Sequence, residues 1–128
     1  MHALLVSSDL MLMASAQGAA DRHGVLLTAA GDSEQALAAC SDEAMRLVLI
    51  DLRLPGLDVA EFVRSVRGAK PQAARVAACG PHVHTHALAA AAEAGCDEVI
   101  TRGEFDRRVD ALFAELTVRA AKVPPAER

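Results

Sequence analysis

An aspartate closes the most strand-like run of the chain. Leu47-Val48-Leu49-Ile50 is wholly apolar and ends in Asp51, and a Pro55-Gly56 turn and Asp58 follow. A carboxylate at the end of a buried strand is costly unless something pairs with it. It could simply cap the following turn, or it could accept a group or hold a cation. Three other segments could meet it. Ser7-Ser8-Asp9 ends the apolar start of the chain, Arg102 follows a short apolar run, and Cys79-Gly80-Pro81-His82-Val83-His84-Thr85-His86 gathers a thiol and three imidazoles. Imidazoles with a thiolate are soft-metal ligands, and His82 and His86 would share a face if helical. No Cys-x-x-Cys pair accompanies them. Asp9 or Ser8 also suits a helix N-cap.

The elements that must position these residues alternate along the chain. Apolar runs at Ala3–Val6, Val25–Thr28, Leu47–Ile50, Arg75–Cys79 and Glu98–Thr101 read as strands. Between them lie helical patterns: Leu10–Arg22 ended by Gly24, a helix capped by Asp32 or Ser33, one capped by Asp58, and an alanine-rich helix from about His84 to Ala94. After Asp58, the residues Val59, Phe62, Val63 and Val66 follow i, i+3, i+4, i+7 spacing and form one buried stripe. Phe105, Val109, Leu112, Phe113 and Leu116 do the same for the last helix. Strands apolar on both faces and separated by helices predict an α/β fold with a parallel sheet covered on both sides. The five-strand solution is the doubly wound, flavodoxin-like sheet in order 2-1-3-4-5. Its crevice opens at the carboxyl ends of the first and third strands, where Ser7 and Asp51 stand. Residues 1–121 are expected to form one domain, and 122–128, with Pro124-Pro125, a tail or truncated linker.

Bulk properties narrow the function. The 128 residues are 52% hydrophobic but only 2% aromatic, without Trp or Tyr, so base stacking has little to work with. The net charge of −4 offers no basic footprint for nucleic acid or an anionic membrane. No apolar stretch has the length of a membrane span. Met1-His2-Ala3-Leu4 lacks a basic n-region and reads as a strand, and three widely spaced cysteines suit reduced thiols in the cytoplasm. Gly-rich phosphate loops, nucleophile elbows and His-Glu-x-x-His are absent, so no conventional enzyme is expected.

Asp51-Leu52-Arg53-Leu54-Pro55-Gly56-Leu57-Asp58, set in five βα units, resembles the receiver domain of two-component response regulators from Ala3 to about Leu116. The resemblance implies that Asp51 stands at the phosphoacceptor position. It implies a Mg²⁺ held by two acids after the first strand, the acceptor and a backbone carbonyl. It also implies a hydroxyl residue after the fourth strand, a lysine after the fifth, and an aromatic within the fifth. Here the acid pair falls on Ser7 and Ser8, with Asp9 one place late. The hydroxyl falls on Cys79, the lysine on Arg102 (followed by Gly103 where proline is usual) and the aromatic on Val99. Only Asp51 and the Arg53 carbonyl remain of the metal shell. Magnesium wants anionic oxygens, so Mg²⁺ is expected to bind weakly and phosphoryl transfer to be slow. Arg102, with Arg53, is then the expected partner of Asp51 through a guanidinium fork.

The reading is an atypical receiver-like signalling module, phosphorylation-independent or weakly phosphorylated. Its expected partners are a histidine kinase or a downstream signalling protein, met through the last two helices and fifth strand, the face through which it could also form a homodimer. The rivals are an ordinary Mg²⁺-dependent phosphoacceptor, and a metal or thiol sensor using Cys79 with His82, His84 and His86. Cys40 and Cys96 read as small buried hydrophobes.

Overall fold

In the computed structural model, residues 1–69 and 74–122 are described, with side chains for all of these except 119–122. Ten elements alternate strictly: β1 His2–Val6, α1 Leu10–Arg22, β2 Leu26–Ala30, α2 Ser33–Ala39, β3 Met45–Asp51, α3 Val59–Ala69, β4 Arg75–Gly80, α4 Thr85–Glu93, β5 Glu98–Thr101 and α5 Arg102–Lys122. The strands form one parallel sheet in the order β2-β1-β3-β4-β5, as the sequence predicts. α5 runs through Lys122, one residue into the expected tail, and Pro124-Pro125 lie outside the described residues.

Two apolar layers hold the sheet. On one face, Leu5, Leu49, Ala77 and Ile100 pack with Leu12, Ala16 and Ala19 of α1 and Phe105, Val109, Leu112 and Phe113 of α5. On the other, Leu4, Val6, Val48, Ile50, Val76 and Ala78 meet Ala36 of α2, Phe62, Val63 and Val66 of α3, and Ala91 of α4. Alternation along each strand sends successive residues to opposite layers. That explains why Leu47–Ile50 of β3 is apolar throughout: both faces of the strand are covered.

The helix starts follow local chemistry. Asp9, rather than Ser8, caps α1, its carboxylate accepting from the N–H groups of Met11 and Leu12 at 2.8 and 3.2 Å. Asp32 caps α2 through the Gln35 N–H, and Asp58 serves α3 through the Glu61 N–H. α4 begins at Thr85, so His82 lies in the preceding turn and shares no helical face with His86.

Candidate functional site: the Asp51 pocket

Register assembles the pocket. Val6 pairs with Ile50, and Asp51 pairs with Cys79, so Ser7, Asp51 and Cys79 stand side by side at the carboxyl edge of β1, β3 and β4. Alternation turns all three toward the layer of α1 and α5, continuing the series of Leu5, Leu49 and Ala77.

Both oxygens of Asp51 are engaged. The Ser7 hydroxyl donates to Oδ2 at 2.7 Å, and the Arg53 backbone N–H donates to Oδ1 at 2.9 Å. The Ser7 oxygen in turn accepts from the Asp9 N–H at 3.0 Å. A chain of donors thus runs from the start of α1 through Ser7 to the carboxylate. Asp51 is only 4% exposed and Ser7 2%, so these bonds replace water for a buried charge, and each is the charge-assisted kind. The bond to Arg53 N–H also makes Asp51 a turn cap. The turn-capping role and the central placement therefore coexist.

The arginines do not behave as the sequence reading expects. Among the described residues, no ion pair or side-chain hydrogen bond joins Arg102 or Arg53 to Asp51. Arg102 pairs with Asp106 at 3.6 Å and lies 5.6 Å from the centre of the Phe105 ring. The reason is local. Thr101 and Glu104 form a capping box: Glu104 accepts from the Thr101 N–H and hydroxyl, and the Glu104 N–H donates back to the Thr101 oxygen. That box starts α5 at Arg102 and brings Asp106, one turn on, within reach. Asp106 also accepts from Ser15 of α1 at 2.9 Å. The Thr-x-x-Glu spacing was available in the sequence and is the signal that could have found this arrangement. Arg53 is exposed, and only its backbone serves the pocket.

Cys79 is buried against the sheet, an environment that disfavours its thiolate. Burial pushes it up to about 12, reinforced by the Asp51 carboxylate and more weakly by Asp9 and Asp106, with Arg102 pulling the other way. His82, His84 and His86 are exposed, and among the described residues no three His, Cys, Asp or Glu side chains are placed to hold a metal ion. Among the described residues, Cys79 and these histidines are therefore not gathered into one ligand set. Cys40 is buried as expected, whereas Cys96 is only partly so. Ser8 is exposed, and Val99, at the position of the family's aromatic, is half-buried on β5.

No protein-family model matches the chain. The transcriptional activator protein PfeR of Pseudomonas aeruginosa is 32% identical over 129 residues, covering 98% of this chain and 41% of its own length. The chain thus spans less than half of that relative. The receiver domain of NtrX from Brucella abortus superposes with a TM-score of 0.74 at 25% identity, covering 91% of this chain and 98% of its own. A CheY-like receiver domain protein from Methanospirillum hungatei gives 0.77 at 19% identity, over 94% and 96% of the two chains. The chain therefore has the fold of response-regulator receiver domains. A further receiver domain, from a Pseudomonas aeruginosa sensor histidine kinase, carries magnesium in its active-site cleft. It is similar at a TM-score of 0.70 and 18% identity, over 88% of this chain and 97% of its own. In this chain, Asp51 stands at that edge between Ser7 and Cys79, while Asp9 caps α1. Among the described residues, no helix is long and apolar enough to cross a membrane.

Proposed function

We propose that this receiver is a cytoplasmic signalling module that works by protein binding rather than catalysis, and that its output does not depend on Mg²⁺-dependent phosphorylation of Asp51. The observation that carries this is the Ser7 hydroxyl on Asp51 Oδ2 at 2.7 Å, standing where the resemblance places an acid. A hydroxyl and a backbone N–H satisfy the buried carboxylate directly, so the pocket is complete without a cation.

The donor set does not fit magnesium. One carboxylate, the Arg53 carbonyl and the serine hydroxyls supply too little anionic oxygen for a hard dication that parts reluctantly with its water. Magnesium should bind weakly at most. Transfer of a phosphoryl group to Asp51 would then meet an unshielded negative charge, with the Arg102 guanidinium paired to Asp106.

The proposed partners are proteins, either a histidine kinase or a downstream signalling protein. The net charge of −4 argues against this domain itself binding nucleic acid. The face of α4, β5 and α5 is the proposed docking surface and the place for a homodimer.

Asp51 stands where the resemblance puts the acceptor, and that placement favours the ordinary phosphoacceptor as the second reading. Intact-mass spectrometry after incubation with acetyl phosphate and Mg²⁺, beside Asp51→Asn, separates the two. No mass gain in a folded sample supports the proposal. A gain of one phosphoryl group that is absent from the Asn variant restores the ordinary phosphoacceptor.

A further inference from the structure

The two edges of the sheet differ in how they meet solvent. β5 is four residues long, its Glu98 is tied to Arg75 and Arg108, and its Thr101 N–H is taken by Glu104. Shortness and charge keep an edge strand from pairing with another chain. β2, at the other edge, carries neither charge nor proline: it reads Leu26-Leu27-Thr28-Ala29-Ala30. Leu26 is 66% exposed, and Thr28 and Ala29 are exposed as well, so neither α1 nor α2 closes over the strand.

The hydrogen bonds of β2 mark which backbone groups are free. The Leu26 N–H donates to the Met1 carbonyl at 3.1 Å, and the Ala30 carbonyl accepts from the Ser7 N–H at 2.9 Å. Backbone groups alternate sides along a strand. Those of Leu26, Thr28 and Ala30 therefore face β1, and those of Leu27 and Ala29 face away. The free row is closed at both ends, because the Val25 N–H goes to the Ala20 carbonyl and the Gly31 N–H to the Gln35 side chain. Among the described residues, nothing meets the N–H and C=O groups of Leu27 and Ala29.

This pattern is self-complementary. Set antiparallel to itself about Thr28, the strand places Leu27 against Ala29 of the second copy and Ala29 against its Leu27. Each such pair exchanges two hydrogen bonds, so every outward group of both copies is used. The side chains agree. Thr28 opposes Thr28, a favourable cross-strand pair, and Leu26 and Leu27 each oppose an alanine. No like charges meet, because the strand holds none.

We infer that the β2 edge is a self-association surface, on which a second copy of this chain pairs antiparallel about Thr28 and joins the two five-stranded sheets into one. The contact uses the same patch on both copies, so it closes as a dimer. β2 and β5 lie at opposite edges. The pairing therefore leaves α4, β5 and α5 free for protein partners, and it holds whether or not Asp51 accepts a phosphoryl group.

Sedimentation equilibrium over a concentration series tests this on the whole chain. The wild type should approach twice the monomer mass as concentration rises. Ala29→Pro removes an outward N–H and leaves the pairing to β1 in place. It should stay monomeric with an unchanged far-UV circular dichroism spectrum. A wild type that is monomeric throughout would overturn the proposal. So would a folded Ala29→Pro that dimerises like the wild type, which would move the contact to another face. Cysteine cross-linking reads the register independently, should Ala29→Pro fold poorly. Opposed residues between the hydrogen-bonded pairs have Cα atoms about 4.5 Å apart, within the roughly 4.4–6.8 Å that a disulfide spans. With oxidised glutathione, Thr28→Cys should form a disulfide-linked dimer above the background that Cys40, Cys79 and Cys96 give in the wild type. Leu26→Cys, also exposed but opposite Ala30 of the second copy, should form far less. Equal yields from the two variants, or none from Thr28→Cys, would refute the pairing.

Discussion

Replacing Ser7 by aspartate puts the magnesium argument to a direct test. The new carboxylate would lie where the Ser7 oxygen now stands 2.7 Å from Asp51 Oδ2, in a site only a few per cent exposed. Two charges about 4 Å apart at an effective dielectric of about 20 repel by about 4 kcal/mol. Proton uptake by one of the pair relieves part of that, so Ser7→Asp without metal should be destabilised by roughly 2–4 kcal/mol near neutral pH. The paired acids have raised folded-state pKa values, so the loss should shrink as pH falls toward the ordinary carboxylate range. The Asp9 N–H, now on the Ser7 oxygen at 3.0 Å, remains available to the new carboxylate. Magnesium at about ten times its dissociation constant should return about 1.4 kcal/mol, or roughly 5 °C of melting temperature in a domain of this size. The assay is thermal unfolding with and without Mg²⁺ at matched ionic strength. The wild type should move by less than about 1 °C. A wild type that gains several degrees, or a variant indifferent to magnesium, would refute the account of why this pocket needs no cation.

Three further expectations follow from the same contacts. Glu98 is held below its ordinary 4.5 first by the Arg108 guanidinium, with burial opposing and Arg75 assisting. Its stabilisation should be present above that value and lost as pH falls through the depressed one, so the cost of Arg108→Met in urea denaturation should be largest at neutral pH and fade in acid. Asp9→Ala removes the two bonds that cap α1 and should cost about 1 kcal/mol in the same assay, with Asp9→Asn nearly neutral. Cys79, pushed up to about 12 by burial, should resist iodoacetamide at pH about 8 in the folded protein and react readily in denaturant. Peptide mass spectrometry showing equal labelling in both states would contradict its placement.

Much of this protein was settled by local pattern. The apolar runs and helical stripes determine five βα units, and short parallel crossovers leave few ways to stack them, so the order 2-1-3-4-5 and the place of Asp51 at a strand end are legible in the sequence. The caps at Asp32 and Asp58 were legible for the same reason, since each acts within three residues of itself. The partners of Asp51 were not. The resemblance and its charge nominated Arg102, but a capping box spanning Thr101–Glu104 starts α5 at Arg102 and delivers it to Asp106. Which of two serines would face the carboxylate depended on β1–β3 register, and Ser7 rather than Ser8 was chosen by the alternation that register imposes. The reactivity of Cys79 turned on burial from both neighbouring strands and α5, which no spacing records. Local sequence determines what each segment becomes, because capping and periodicity act within a turn or two. Which side chain satisfies a buried charge is decided only when distant strands are brought side by side.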